Sequence, residues 1–173
     1  MTVSRSDALV LFGVTGDLAH KMIFPALYAL AKRGALNVPV VGVAFPKWKP
    51  AQLHARVRDS LKHAGGIDNQ RALHTLLSQL KYVSGDYKDP ATFSALKKML
   101  GRARRPAYYL AIPPALFATV IEGLSAAGLA EHARVIIEKP FGRDLASARA
   151  LNRVAHAAFP EDSTFRIDHF PGT

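Results

Sequence analysis

The sequence predicts an α/β chain whose sheet is doubly wound and mostly parallel, with helices on both faces. Three observations carry that expectation. The run Ala8-Leu9-Val10-Leu11-Phe12 contains no polar residue and breaks at a glycine, as expected of a central parallel strand covered on both faces. Further short apolar runs alternate with helical patterns, which implies right-handed crossovers between parallel strands. The unusual residues fall at the ends of the predicted strands: Gly13 to Gly16, Phe45 to Lys49, Pro113-Pro114, Lys139-Pro140 and Asp168-His169. In such sheets a ligand lies beyond the carboxyl ends of the strands, where the strand order reverses.

The elements follow in order. After the first strand, Gly13 permits a sharp turn, and Asp17 to Leu30 reads as a helix, with Pro25 as an interior complication. Lys32-Arg33-Gly34 supplies basic last-turn residues and a terminating glycine. Val38 to Phe45 is the second strand, with Pro39 near its start, where a missing N–H is tolerable. Two helical patterns follow the loop at Pro46 to Pro50, from Ala51 to His63 and from Asn69 to Gln79, separated at Gly65-Gly66. Leu80 to Gly85 is a short third strand, and Asp89-Pro90 opens a helix toward Leu100. The fourth strand, Ala107 to Ile112, stops at Pro113-Pro114, and Leu116, Phe117, Val120, Ile121 and Leu124 mark the next helix by their spacing. Arg134 to Glu138 is strand five, a helix runs from Leu145 to Ala158, and Thr164 to Asp168 is strand six.

The bulk numbers narrow the function classes. A chain of 173 residues with 49% hydrophobic content suits one domain over residues 1–173. It has no cysteine, which excludes disulfides, thiol nucleophiles and cysteine zinc sites. No apolar run reaches membrane-spanning length and no signal-peptide pattern precedes the first strand, so a soluble, cytoplasmic protein is expected, with no membrane partner. Lys and Arg number 23 against 13 Asp and Glu, a net charge of +10 that favours anionic partners. The basic residues, Arg56 and Arg58 among them, are spread without aromatic interleaving and read mostly as solvated helix faces. A nucleic-acid partner is therefore the least favoured of the anionic choices.

The first turn carries the most chemistry. Gly13, Gly16 and Ala19 form a G-x-x-G-x-x-A pattern related to the dinucleotide fingerprint, between a strand and the positive end of a helix. Phosphate fits that position, although two glycines at this spacing also serve a tight turn that holds no ligand. Lys139 follows a strand and precedes a proline, which suits a point charge for a phosphate or hydroxyl, or equally a surface turn. Asp168 and His169 can act as an oriented imidazole with a supporting carboxylate, or as a plain strand cap. His20, His54, His63, His74, His132 and His156 have no metal-ligand company in the sequence and receive no role; no metal is expected.

The segments FGVTGDLAHKMIFPALY, YLAIPP, EKPFGRDLASA and RIDHF, in this order and over essentially the whole chain, resemble the N-terminal dinucleotide-binding domain of glucose-6-phosphate dehydrogenases, a Rossmann-like fold. The resemblance implies an NADP cofactor, with NAD the alternative, and Gly13, Thr15, Gly16, Asp17 and Leu18 around its pyrophosphate. It places Ala111, Ile112 and Pro113 beside the nicotinamide ribose. It gives Lys139 contacts to substrate and to the nicotinamide side, behind a cis bond to Pro140, and it gives His169 the substrate phosphate. Implied activity is the oxidation of D-glucose 6-phosphate to its lactone in the pentose phosphate pathway. The family's C-terminal substrate and dimerisation domain, which brings the catalytic base histidine and the usual homo-oligomeric contacts, is absent from these residues. The chain alone is accordingly expected to be catalytically incomplete, a nucleotide-binding module without turnover being the alternative.

Two departures from the family pattern bear on the site. An arginine commonly grips the 2′-phosphate after strand two, whereas Gly42-Val43-Ala44 is here followed by Phe45. Lys47 and Lys49 can compensate, and no acidic residue at that strand end favours NAD. The family lysine four residues after its R-I-D-H histidine is replaced by Thr173.

Overall fold

The computed structural model describes residues 6–139 and 164–168. Within them six strands form one sheet in the order β3-β2-β1-β4-β5-β6, and every pairing is parallel. The strands are β1 Ala8–Phe12, β2 Val40–Ala44, β3 Leu80–Ser84, β4 Pro106–Leu110, β5 Arg134–Lys139 and β6 Thr164–Asp168. The order reverses between β1 and β4, which places the crevice beyond Phe12 and Leu110.

Alternation along β1 divides the core between the two faces. Ala8, Val10 and Phe12 pack into one cluster with residues of α4 (Pro90–Leu100) and α5 (Phe117–Ala126). Leu11 packs into the other, with α1 (Phe24–Lys32), α2 (Pro50–His63) and α3 (Gln70–Gln79). The helix faces are those the spacing predicts: α5 buries Phe117, Val120, Ile121 and Leu124, while α2 buries Leu53, Val57 and Leu61. Each such side chain contributes about 1.5–3 kcal/mol when fully buried. Leu116 is the exception, closing a 3₁₀ turn, Pro114–Leu116, that precedes α5.

The remaining differences from the sequence reading have local causes. β2 is shorter than expected: Pro39 has no N–H to donate and joins only through its carbonyl, which accepts from the N–H of Leu9 at 3.0 Å, and the exposed Phe45 follows the last paired residue. β4 begins at Pro106, aligned with Ala8, and ends at Leu110, because Ala111 turns to face Gly13. β5 extends by one residue, to Lys139. Pro25 does not break the first helix. Helical residues run from 17 to 32, and the missing N–H is absorbed by a π turn at Ala19–Ile23, where the N–H of Phe24 reaches back to the carbonyl of Ala19. Asn69 and Asp89 stand outside α3 and α4 as caps, accepting from the N–H groups of Ala72 and Ala91. The expected helix from Leu145 to Ala158 lies outside the described residues.

Asp7 fastens β1 to the start of β4. Its partial burial opposes ionisation, but the N–H groups of Arg104 and Arg105 donate to its carboxylate at 2.7 and 2.8 Å and hold its pKa below the ordinary 3.8. A depressed carboxylate pKa stabilises the fold above the ordinary value, and that contribution disappears as pH falls through the folded value. Asp7→Asn should therefore lower stability at neutral pH and shrink the loss of stability between neutral pH and the acid side of 3.8. Urea denaturation at both pH values measures it; an unchanged pH dependence would contradict the assignment.

Candidate nucleotide site

The turn after β1 is built by backbone contacts to both neighbouring strands. The N–H of Gly13 donates to the carbonyl of Val43 at 2.9 Å, and the carbonyl of Phe12 accepts from the N–H of Ala111 at 2.9 Å. Gly13 has φ +85°, and a Cβ there would stand 2.1 Å from the carbonyl oxygen of Ala111. This glycine is demanded by the fold itself. Val14 then turns inward, fully buried, against Gly42, where a Cβ would meet its side chain at 2.7 Å.

Gly16 is different. Its N–H closes the turn on the carbonyl of Gly13 at 2.9 Å, and a Cβ added to it would meet nothing nearer than that same oxygen, at 3.3 Å. Its outward face is open. Thr15, Gly16 and Leu18 are half-buried and Asp17 is exposed, at the first turn of a helix whose N–H groups have no intrahelical partners. A cradle that a side chain would fill, at the positive end of a helix and at the reversal of strand order, fits the pyrophosphate of a dinucleotide.

Two neighbouring loops complete the crevice. Ala111 and Ile112 press against Gly13, and Pro113 follows, exposed, as the cap of the 3₁₀ turn. After β2 the loop is pinned by its carbonyls: Tyr82 donates to Pro46, Ser84 to Phe45 at 3.2 Å and Tyr87 to Val43 at 3.2 Å. Burial pushes the Tyr87 phenol up to about 12, so it stays a neutral donor. The pinned loop leaves the Phe45 ring 70% exposed, with Lys47 exposed beside it in sequence. On the far side, Lys139 ends β5 in register with Asp168, the last residue of β6.

The structure thus gathers Gly13, Thr15, Gly16, Asp17 and Leu18 with Ala111, Ile112 and Pro113. It sets Lys47, Lys139 and Asp168 at the same carboxyl end of the sheet. His169 and the bond to Pro140 lie outside the described residues. Arg56 corrects the reading of a solvated face. Its side chain is 28% exposed, with one terminal nitrogen 3.7 Å from Asp17 and 3.5 Å from the Gly16 carbonyl. Such a guanidinium offsets the negative charge of Asp17 beside an anion site. Nothing in the local sequence around Arg56 signals this, since it depends on how α2 packs against the turn. A groove of about 450 Å³ between α4 and α5, floored by Phe93 and Gly123, shares only Tyr87 with this crevice.

Comparison with known proteins places these features in a lineage. Residues 10–173 match the family model described as glucose-6-phosphate dehydrogenase, NAD binding domain. Glucose-6-phosphate 1-dehydrogenase 1 of Mycobacterium bovis is 46% identical over 96% of this chain. The Saccharomyces cerevisiae glucose-6-phosphate 1-dehydrogenase is 34% identical over 97% of it. The crystal structure of the Mycobacterium avium enzyme superposes with a TM-score of 0.89 at 45% identity, over 94% of this chain. A glucose-6-phosphate dehydrogenase solved with its substrate glucose-6-phosphate gives 0.87 at 33% identity, over 97%. The chain spans 36% of the length of the two curated relatives and 36–38% of the two solved chains.

Proposed function

The chain belongs to the glucose-6-phosphate dehydrogenase family, as its NAD binding domain, and on that premise we propose that it binds NADP as the coenzyme half of an enzyme oxidising glucose 6-phosphate. The pyrophosphate lies over the turn from Gly13 to Gly16, with Thr15, Asp17 and Leu18 around it. The nicotinamide end runs toward Ala111, Ile112, Pro113 and Lys139, and the adenosine ribose toward Phe45 and Lys47. Lys139 and His169 hold the sugar phosphate, Asp168 supporting. The cofactor supplies a hydride acceptor for C1 of the sugar, while a base takes the proton of the C1 hydroxyl. This chain's residues bind and orient; the base is none of those described.

The observation that carries this reading is the open face of Gly16 at the reversal of strand order. The test is a titration of the purified chain with NADP, followed by nucleotide fluorescence and thermal shift, with NADPH absorbance recorded in the presence of glucose 6-phosphate. Saturable binding without turnover is expected. No binding would refute the coenzyme role, and turnover of about 1 s⁻¹ or more would require a base within the chain.

NADP should bind more tightly than NAD, through Lys47 and the absence of an acidic residue at the end of β2. An exposed ammonium contributes about 1 kcal/mol or less to such a contact, so the preference is a few-fold and fades with salt. Lys47→Ala should erase most of it. Equal affinities at low salt would contradict the assignment.

A further inference from the structure

A second cluster of polar side chains lies behind the nucleotide turn, outside the crevice. His20 stands on the π turn, and Asp59 and His63 stand one helical turn apart on α2. His20 Nε2 is 2.7 Å from an Asp59 carboxylate oxygen, and His63 Nδ1 is 3.6 Å from the other. The two imidazole rings are 5.5 Å apart between centroids, and one ligand atom from each of the three residues lies within 4.8 Å of the other two. In the sequence these histidines have no metal-ligand company; tertiary packing provides it across the 39 residues between His20 and Asp59.

We propose that His20, Asp59 and His63 form a three-ligand site for a zinc-class divalent cation. Two imidazoles and one carboxylate select zinc and its borderline neighbours over magnesium and calcium, which prefer all-oxygen shells. Zinc takes nitrogen and oxygen ligands at about 2.0–2.2 Å, which sets tetrahedral ligand–ligand edges at roughly 3.3–3.6 Å. The two histidine–carboxylate distances, 2.7 and 3.6 Å to different oxygens of Asp59, lie at or below that span, and all three ligand atoms fall within 4.8 Å of one another. Binding needs His20 and Asp59 to part slightly and the His63 ring to swing inward, exchanging its contact with the Asp59 backbone carbonyl at 2.8 Å for the metal. The His63 side chain is 71% exposed, so solvent gives it room for that motion, while His20, at 15%, is largely enclosed. A cavity of about 230 Å³ lined by His20, Lys21, Ser60, His63 and Ala64 leaves room for water in the fourth position. The nearby cations Lys21 and Arg56 oppose a second positive centre and keep the affinity moderate.

Such an ion would clasp the first helix to α2. The N–H of His20 donates to the Gly16 carbonyl at 3.2 Å, so the clasp sits one hydrogen bond from the nucleotide turn.

Cobalt(II) titration of the purified chain tests the site, because four-coordinate cobalt gives intense visible d–d bands and the chain has no cysteine to supply a thiolate site. Saturable bands are expected, displaced by zinc. His63→Ala and Asp59→Asn, both at exposed positions, should each weaken cobalt binding by at least about tenfold. Zinc should also raise the melting temperature of the parent chain and leave Asp59→Asn unmoved. Absence of bands in the parent, or bands and thermal shift of undiminished strength in both variants, would overturn the proposal.

Discussion

Gly13→Ala should remove roughly 3 kcal/mol or more of stability, out of the 5–15 kcal/mol that holds a domain of this kind together. The left-handed φ of +85° accounts for part of this, at about 1–2 kcal/mol for a residue with a Cβ. The larger part is steric. The new methyl carbon would sit 2.1 Å from the Ala111 carbonyl oxygen, a backbone atom with no rotamer to escape into. Relief requires β1 and β4 to separate where the Phe12 carbonyl and the Ala111 N–H are joined. The urea midpoint should fall sharply with little change in the m-value. An unfolding free energy within about 0.5 kcal/mol of the parent's would show that the two loops do not touch as described.

Gly16→Val should do the opposite, leaving the fold and taking the ligand. Its Cβ meets only the Gly13 carbonyl oxygen, at 3.3 Å, a contact that a shift of a few tenths of an ångström relieves. A branched side chain would fill the outward face where the pyrophosphate approaches. Losing one charge-assisted hydrogen bond, with the anion held off the helix end, costs about 2 kcal/mol, or roughly 30-fold in NADP affinity. The variant should melt close to the parent and bind NADP at least that much more weakly. Parent-like affinity in a folded Gly16→Val chain would move the nucleotide elsewhere. The two glycines thus separate two demands that the motif merges: Gly13 is required by the chain's own backbone and Gly16 by the space kept for a guest.

Much of this was legible in the sequence, for identifiable reasons. A five-residue apolar run bounded by glycine has few readings other than a central strand, and β1 carries the predicted bounds. Helix faces follow from apolar periodicity, and Asp89-Pro90 and Asn69 mark helix starts through caps that operate within three residues. Gly13 and Ala111 are each prominent in their own motif, and parallel pairing brings the motifs together. The strand ends were less legible because a ladder stops where a neighbouring loop intrudes, as Ala111 shows. Hidden altogether were contacts made by polar faces. Periodicity says which side of α2 is buried, but nothing in it says that Arg56 would meet Asp17 or that Asp59 and His63 would meet His20. The π turn was hidden for a related reason: Pro25 signals a disrupted helix, and only the packing of Ile23, Phe24 and Leu27 decides that the disruption is a widened turn and not a break.

The pairing of β1 with β4 also sets an order of events. Ala8 lies beside Pro106, and Asp7 is clipped to the N–H groups of Arg104 and Arg105, so the middle strand of the sheet waits on residues nearly a hundred positions downstream. During synthesis β1 can pair with β2, and β2 with β3, early, but the other edge of β1 stays bare until the fourth strand emerges. Only then does the carbonyl of Ala111 come to rest against Gly13 and give the turn its final shape. An emerging chain should therefore acquire nucleotide affinity abruptly, once residue 111 and a few of its successors have cleared the ribosome, and the ligand becomes a reporter of sheet closure.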